Sequence, residues 1–486
     1  MASIAPRERS TFRAGLGTLV VMGLLVRLGL RFRRGFGRVT PEPFVLAVAL
    51  SVVVLLAALA FGDWPGAPSE AGLPERVGVA LETWAGGGLW KLLAFAMQAT
   101  LMLVVGTALA EAPIVQRGIT GLVRLASGPR TLVGLTAAVS IGLALLSWSL
   151  SLIGGALLAR EAGRVSEREG WRLHYPLLCA AAYSGMMVWH GGLSGTAPLK
   201  VTAEKDLVEV LGPELAAKLG TMPLGETLFS PLNLVITGGL FLLGPIFFAF
   251  LTPKRGRDPS AQPPPVHDDA ESVADKPAAN RLEALERSPW IVWLLALPML
   301  AGLVSIVLHR GVGQLDLDTV NLALWTLAML LHGRPDRFLA ACERGIRGCT
   351  GIVLQFPLYA GIMALMAASG LSGLLSSVIA TAGPALLGLA TFLSAGLVNL
   401  LVPSGGGQWA VQGPIAMQAA LDTGVAPKTL LMAIAYGDQW TNMIQPFWAL
   451  PLLAVTGVRA RDIVGYTCLW MLFGGVWMGL GLVLLG

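Results

Sequence analysis

The sequence predicts an all-α polytopic membrane protein of about nine full transmembrane helices and two re-entrant hairpins, arranged as two inverted-topology repeats. Three observations carry that prediction. Hydrophobic residues make up 55% of the 486-residue chain against 13% charged, with a mean hydropathy of +0.69. Several windows of about twenty residues carry no charge, which is the length an α-helix needs to span hydrocarbon. Two other apolar stretches are interrupted midway by Gly, Ser and Pro, and the two halves of the chain repeat one another at a nearly constant offset.

Residues 1–41 form a basic N-terminal segment in which arginines flank a short apolar stretch and Arg27 interrupts it. No small-residue cleavage site follows, so a cleaved signal peptide is not expected. The pattern suits a helix in the cytoplasmic headgroup layer. Residues 42–251 make the first transmembrane half, with full spans near 42–62, 88–110, 174–199 and 227–251. Residues 252–289 are rich in Pro, Ala and mixed charge, the composition of a cytoplasmic linker with no core of its own. Residues 290–486 make the second half, with spans near 290–308, 318–332, 351–371, 430–456 and 463–485. The interrupted stretches lie near 131–158 and 384–420, broken by SWSLSLIGG (Ser147 to Gly155) and PSGGGQW (Pro403 to Trp409).

Charge decides whether those two stretches cross. With both re-entrant and the N-terminus cytoplasmic, 27 of the 34 Lys and Arg fall on the cytoplasmic side. If the first stretch crossed, Arg160, Arg164, Arg168 and Arg172 would move outside and later loops would invert with them. The positive-inside rule therefore selects hairpins. The halves align by succession: Ser140 onward sets against Ser394 onward at offset 254, Ala182 onward against Ala435 onward at 253, and Gln98 against Gln355 at 257. Segments that keep one offset form an internal repeat. Five crossings between the opening spans turn the second copy upside down, the architecture of secondary transporters.

Irregular backbone at membrane depth is tolerated only inside protein or along a polar cavity. The hairpin tips and the breaks in the spans at 174–199 and 430–456 are therefore expected to meet near the midplane and hold substrate. Gly405, Gly406 and Gly407 can expose amides at a tip, and a helix starting there presents its positive end to an anion. With no Lys or Arg expected deep in either repeat, binding falls to amides and hydroxyls. The candidates are Ser149, Ser151, Ser194, Thr196, Ser404, Gly405, Gly406, Gly407 and Gln408, although Gly and Ser also serve close helix packing. Asp438 is the candidate coupling residue, because an ionisable group at membrane depth is costly and a buried acid can exchange a proton near neutral pH. Asn442 and Gln445, four and seven residues on, are placed on its helical face. His190 is a candidate substrate contact, with a histidine bonded to backbone as the structural alternative.

NLLVPSGGGQWAVQGPIAMQAA (Asn399 to Ala420), HGGLSGTAPL (His190 to Leu199) and YGDQWTNMIQPFW (Tyr436 to Trp448) resemble the bacterial short-chain fatty acid transporter family of the AtoE type. The resemblance covers most of the chain from about residue 40. It implies membership of the broad ion transporter superfamily, substrates such as butyrate or acetoacetate, a homodimer in the bacterial cytoplasmic membrane, and a mobile transport domain moving elevator-like against a scaffold. Superfamily members often carry a Ser-Asn-Thr tip on each hairpin; here Ser149-Leu-Ser151 and Ser404-Gly-Gly stand in those places. The coupling ion, proton or sodium, stays open.

Other classes fit less well. No HExxH or GxSxG occurs, and the glycine run lacks the GK[ST] ending of a phosphate loop, so no enzyme, cofactor or metal site is expected. The net charge of +5 is spread over short loops, which argues against a nucleic-acid partner. Cys179, Cys342, Cys349 and Cys468 lack metal or redox spacing and are expected to be packed thiols. His174, His309 and His332 are expected at span ends, Glu111 and Glu226 as solvated edge charges, and Trp409, Trp440 and Trp448 as cavity walls or packing. A sodium/proton exchanger, or a carrier of another small organic anion, is the nearest alternative reading.

Overall fold

The structure, a computed structural model, describes residues 25–38, 40–64, 72–253, 280–310, 317–377 and 382–486. The first 24 residues of the basic segment and residues 254–279 of the linker, with His267, lie outside the described residues. Helices are the regular structure of the described chain, as a hydrocarbon surrounding demands: with no water available, each backbone group must find its partner within its own segment. The first half contains α1 (residues 25–38), α2 (Pro43–Phe61), α3 (Leu93–Glu111), α4 (Pro129–Leu146), α5 (Trp148–Arg168), α6 (Tyr175–Tyr183), the short α7 (Thr196–Lys200) and α8 (Pro231–Leu251). The second contains α9 (Pro289–Arg310), α10 (Leu317–His332), α11 (Pro335–Ile346), α12 (Thr350–Ala368), α13 (Leu387–Leu401), α14 (Gly405–Thr423), α15 (Pro427–Thr441), α16 (Pro446–Thr456) and α17 (Ala460–Leu485). Shorter helices connect them. Proline opens α2, α4, α8, α15 and α16, where a missing N–H costs nothing because first-turn amides have no helical acceptor.

Eight helical segments of the described residues are long and apolar enough to cross a membrane. They do not map one to one onto the nine expected spans. The span expected from residue 88 lengthens to Leu73–Glu111, with the helix loosened at Thr83–Trp90 around Gly86 to Gly88. α4 and the segment Pro384–Leu401, first arms of the expected hairpins, are each long enough to cross alone. α10, at 16 residues, is shorter. The spans expected at 174–199 and 430–456 are discontinuous, as their Gly and Pro content indicates.

α13 packs along α15, and α4 packs between α5 and α8; these helices surround the two breaks. One large apolar core runs through both halves, and a smaller one joins Ala108 of α3 to Val292, Ala328, Met329, Phe338 and Ala341 of α9, α10 and α11. α9 faces outward, with Leu294 75% and Leu308 77% exposed, as suits a lipid-facing helix. α1 is more than a headgroup-layer helix, because it docks on α17. A Cβ on Gly465 would collide with the Arg33 backbone nitrogen, so only glycine admits this approach, and Arg33 reaches Asp462 at 3.7 Å.

Candidate functional site

The first break begins where α6 ends. Two 3-10 turns, Ser184–Met187 and Trp189–Gly191, carry the chain to Gly195, where α7 starts. This segment is seated on the turn between α4 and α5: Leu193 N–H donates to the Leu145 carbonyl (2.8 Å), and Trp148 N–H donates to Ser194 Oγ (3.1 Å). Ser194 thereby satisfies a first-turn amide of α5. Ser147 supplies the extended residue between the two helices and pairs through its hydroxyl with Ser149 at 2.9 Å. Ser151 sits deeper, donating to the Ser140 carbonyl at 2.9 Å and within 3.1 Å of Ser140 Oγ. Its hydroxyl ties α5 to α4.

The other side of the same break meets the second turn. Ser404 is extended (φ −152°, ψ 108°) and caps α14, its Oγ accepting from Gly407 N–H at 3.1 Å. Gln408 N–H bonds the Ser404 carbonyl at 2.8 Å, which leaves the Gly405 and Gly406 amides as open first-turn donors. A Cβ on Gly405 would stand 2.6 Å from His190 Nε2 and 3.1 Å from Thr196 Oγ1. The α14 N-terminus thus presses against His190 and Thr196, and no larger residue fits there. Gln408 turns inward instead, its Nε2 donating to the Ala395 carbonyl and to Gln412 Oε1, both at 2.9 Å.

His190 is 1% exposed. Its backbone N–H donates to Gln439 Oε1 (3.0 Å), and its Nδ1 lies 3.2 Å from the Ala435 carbonyl and 3.8 Å from Asp438 Oδ1. A carbonyl only accepts, so in the neutral ring Nδ1 carries the hydrogen and Nε2 the lone pair. That Nε2 is buried without a partner, as are both carboxylate oxygens of Asp438, itself 1% exposed. Lys428 pairs with Glu226 at 3.8 Å rather than with Asp438, and among the described residues no Lys or Arg lies within ion-pair distance of that carboxylate.

Around the second break, Asn399 of α13 gathers the polar groups. Its Nδ2 lies 2.7 Å from the Asp438 carbonyl, 3.0 Å from Thr441 Oγ1 and 2.8 Å from Asn442 Oδ1, while Gln445 Nε2 donates to the Asn399 carbonyl at 2.6 Å. Gln445 does not continue the helical face of Asp438. Residues Asn442–Ile444 tighten to a 3-10 turn, and Gln445 is extended (φ −95°, ψ 115°) because Pro446 disfavours the helical region for the residue before it.

Other expectations are revised in part. Arg160 is buried at 8% exposure on α5, so the repeats are not free of cations; it stands twelve residues beyond Trp148, roughly 18 Å along the helix, out of reach of the tip. His174 stands at the start of α6, a span end, and is buried and hydrogen-bonded to Tyr466 OH at 2.7 Å. Glu111 is paired with Arg344 at 2.7 Å. Trp440 takes the packing alternative expected for it, donating to the Met471 carbonyl at 2.7 Å and lying against Phe392. Asn399, Gln412 and Gln439 belong to the polar centre, as does Asn233 of α8, which donates to the Gly191 carbonyl at 2.9 Å and accepts from Tyr436 OH at 3.0 Å. Sequence reasoning passed over all four, although an amide inside an apolar helix is itself a signal.

Fold and site together define a multi-pass helical membrane protein whose polar chemistry is gathered in its interior, at two helix breaks and two helix turns. The profile of the family described as "Short chain fatty acid transporter" matches residues 24–485. The chain is 35% identical over 469 residues to the "Putative short-chain fatty acid transporter" of Escherichia coli (strain K12), covering 96% of this chain and 100% of that one. It is 33% identical over 436 residues to the protein of the same description from Haemophilus influenzae, covering 89% and 94%. The chain belongs to the short-chain fatty acid transporter family. Among solved structures it is similar to the YdaH transporter of Alcanivorax borkumensis (19% identity, TM-score 0.42, covering 92% of this chain and 97% of that chain) and to MtrF of Neisseria gonorrhoeae (17%, 0.41, 93% and 96%).

Proposed function

We propose that the chain is a secondary active transporter that carries short monocarboxylates, butyrate or acetoacetate, across the bacterial cytoplasmic membrane with its N-terminus in the cytoplasm. One observation carries the reading: His190 Nε2, buried and without a partner, lies against Gly405 at the N-terminus of α14, the end of that helix whose first-turn amides are open. A helix N-terminus attracts a carboxylate, and the adjacent lone pair accepts the proton of the incoming acid. Charge separation is then short and internal, which suits a site where an unpaired ion would cost several kcal/mol. Asp438, 3.8 Å from the other ring nitrogen, is the group that balances a protonated His190 and couples transport to the gradient.

Thr196 and the Ser404 cap complete the carboxylate contacts. Ser149 and Ser194 shape the first turn, and Asn442 and Gln445 line the second break. The inverted repeats, the re-entry of both turns, the homodimer and the elevator-like motion belong to the same proposal. A sodium/proton exchanger is favoured by one observation: Asp438 Oδ1 and Oδ2 and Asn399 Oδ1 are buried acceptors without partners, the oxygen-rich setting a hard cation takes.

The test is uptake of radiolabelled butyrate into proteoliposomes under an imposed pH gradient and, separately, an imposed sodium gradient. Accumulation that follows one gradient and is competed by acetoacetate is the expected result and names the ion. Folded, inserted protein that takes up no butyrate under either gradient, yet exchanges sodium for protons, overturns the carrier reading.

A further inference from the structure

A cavity of about 300 Å³ opens between α1, the start of α2, the second break and the start of α17. Its apolar wall is made by Phe36, Leu46, Ile444, Ala449, Ile463 and Val464, and no charged residue lines it. Its polar lining is Thr40, Tyr183, Thr467 and Gln445; the Tyr183 and Thr467 hydroxyls donate to the Asn442 and Val464 carbonyls, and Gln445 is 4% exposed. Its Nε2 is spent on the Asn399 carbonyl, which fixes the amide orientation, and its Oε1 is buried with no partner. The roof is α1, held down by the Gly465 notch and by Arg33 on Asp462.

An apolar pocket gains affinity of about three- to fourfold for each methylene it buries, and nothing here rewards a negative charge. Gln445 Oε1, an acceptor without a donor, instead asks for one. At about 30 Å³ for a water-sized group, the cavity holds roughly ten such groups, more than the six heavy atoms of butyrate. We propose that this cavity is a binding site for unbranched carboxylic acids of six to eight carbons in their undissociated form. The chain lies against Leu46, Ala449, Ile463 and Val464, and the carboxyl O–H donates to Gln445 Oε1. The inference rests on the carboxylate-transport reading, since Gln445 belongs to both sites, and it gives the carrier a place where longer acids are held beside the path of shorter ones.

Binding of butyrate, hexanoate and octanoate to the full chain in lipid nanodiscs, read by thermal stabilisation, tests it, with butyrate uptake by the same proteins measured in parallel. In the wild type, apparent affinity is expected to rise about three- to fourfold per methylene. Val464→Trp should remove that increment by filling the cavity, and Ala449→Leu, which adds less bulk, should reduce it while keeping the test open if the tryptophan variant does not fold. Gln445→Leu should weaken all three acids and leave the chain-length increment in place. Equal increments in wild type and both filled variants overturn the proposal; this is the result expected if a bilayer lipid tail already occupies the space or the acids only partition into lipid. Octanoate binding that depends on Val464 in a protein that transports no butyrate upholds the cavity and overturns the transport reading instead.

Discussion

The buried carboxylate of Asp438 has no bonding partner on either oxygen, and the ring nitrogen of His190 that faces α14 has none either. Groups of this kind persist at membrane depth where a function uses them, because leaving them unsatisfied costs a few kcal/mol each. If Asp438 couples, Asp438→Asn should abolish gradient-driven accumulation while sparing exchange of labelled for unlabelled butyrate; unchanged accumulation in proteoliposomes removes it from the mechanism. Gly405 and Gly406 give a sharper contrast. A Cβ at Gly405 meets His190 Nε2 at 2.6 Å, whereas one at Gly406 meets only Thr196 Cγ2 at 3.8 Å. Gly405→Ala should lower uptake at least about tenfold, the equivalent of about 1.4 kcal/mol, and Gly406→Ala should stay within about twofold; equal losses would show that the contact with His190 is immaterial. Asp438 and His190 were legible in the sequence because ionisable residues in apolar segments have few structural reasons to exist. Asn399 was not, since its importance lies in partners about forty positions away that only the packing of α13 on α15 brings within reach.

Among the elements, the interruptions were easier to read than the boundaries. Glycine and proline announce a break wherever they cluster, so both discontinuous spans were visible. The path of the chain beyond a break depends on local geometry, and the 3-10 turn that swings Gln445 off the face of Asp438 was not visible. The docking of α1 was hidden too, because Gly465 reads as one more small residue in an apolar helix until the Arg33 backbone is seen against it. The start of α11 offers a prediction outside the membrane. Arg334 clasps Asp336 with two bonds of 3.0 and 2.6 Å, the Arg337 N–H adds a third at 2.9 Å, and Arg287 stands 3.8 Å away. Partial burial pushes the Asp336 carboxyl upward, but the Arg334 and Arg337 bonds and the arginine charges outweigh it and hold the carboxyl below its ordinary value. A lowered value in the folded state means stability that is present above the unfolded carboxylate value, about 3.9, and lost as pH falls through the folded one. Thermal unfolding of wild type and Asp336→Asn should therefore differ above about pH 5 and converge on acidification. A gap that stays constant down to about pH 3 would show that the pair contributes nothing through its charge.

At the scale of the whole molecule, the sequence carried the fold class, because hydropathy alone dictates helices in hydrocarbon. It could not show which helices form the scaffold and which carry the site. In the elevator-like cycle proposed above, a cluster of aromatic rings would mark the seam between them. Phe95 of α3 and Phe356 of α12 come from the helices that pack on α10, α11 and α2, whereas Trp148 opens α5, and Phe447 and Trp448 open α16, directly after the second break. Phe356 stacks on Phe447 with centroids 4.3 Å apart, and Phe95 stacks on Phe447 at 6.2 Å and meets Trp148 at 6.1 Å. Stacked rings present broad apolar surfaces without interlocking hydrogen bonds, so the two sides can slide at little cost in unsatisfied polar groups. An elevator-like cycle must move this seam. With the four native cysteines replaced, Phe356→Cys and Phe447→Cys joined by a short thiol crosslinker should stop butyrate uptake by more than about tenfold and recover it on reduction, while each single variant treated alike keeps its activity. Crosslinked protein that transports at the uncrosslinked rate would place the moving boundary elsewhere. α3 and α12 would then travel with the breaks.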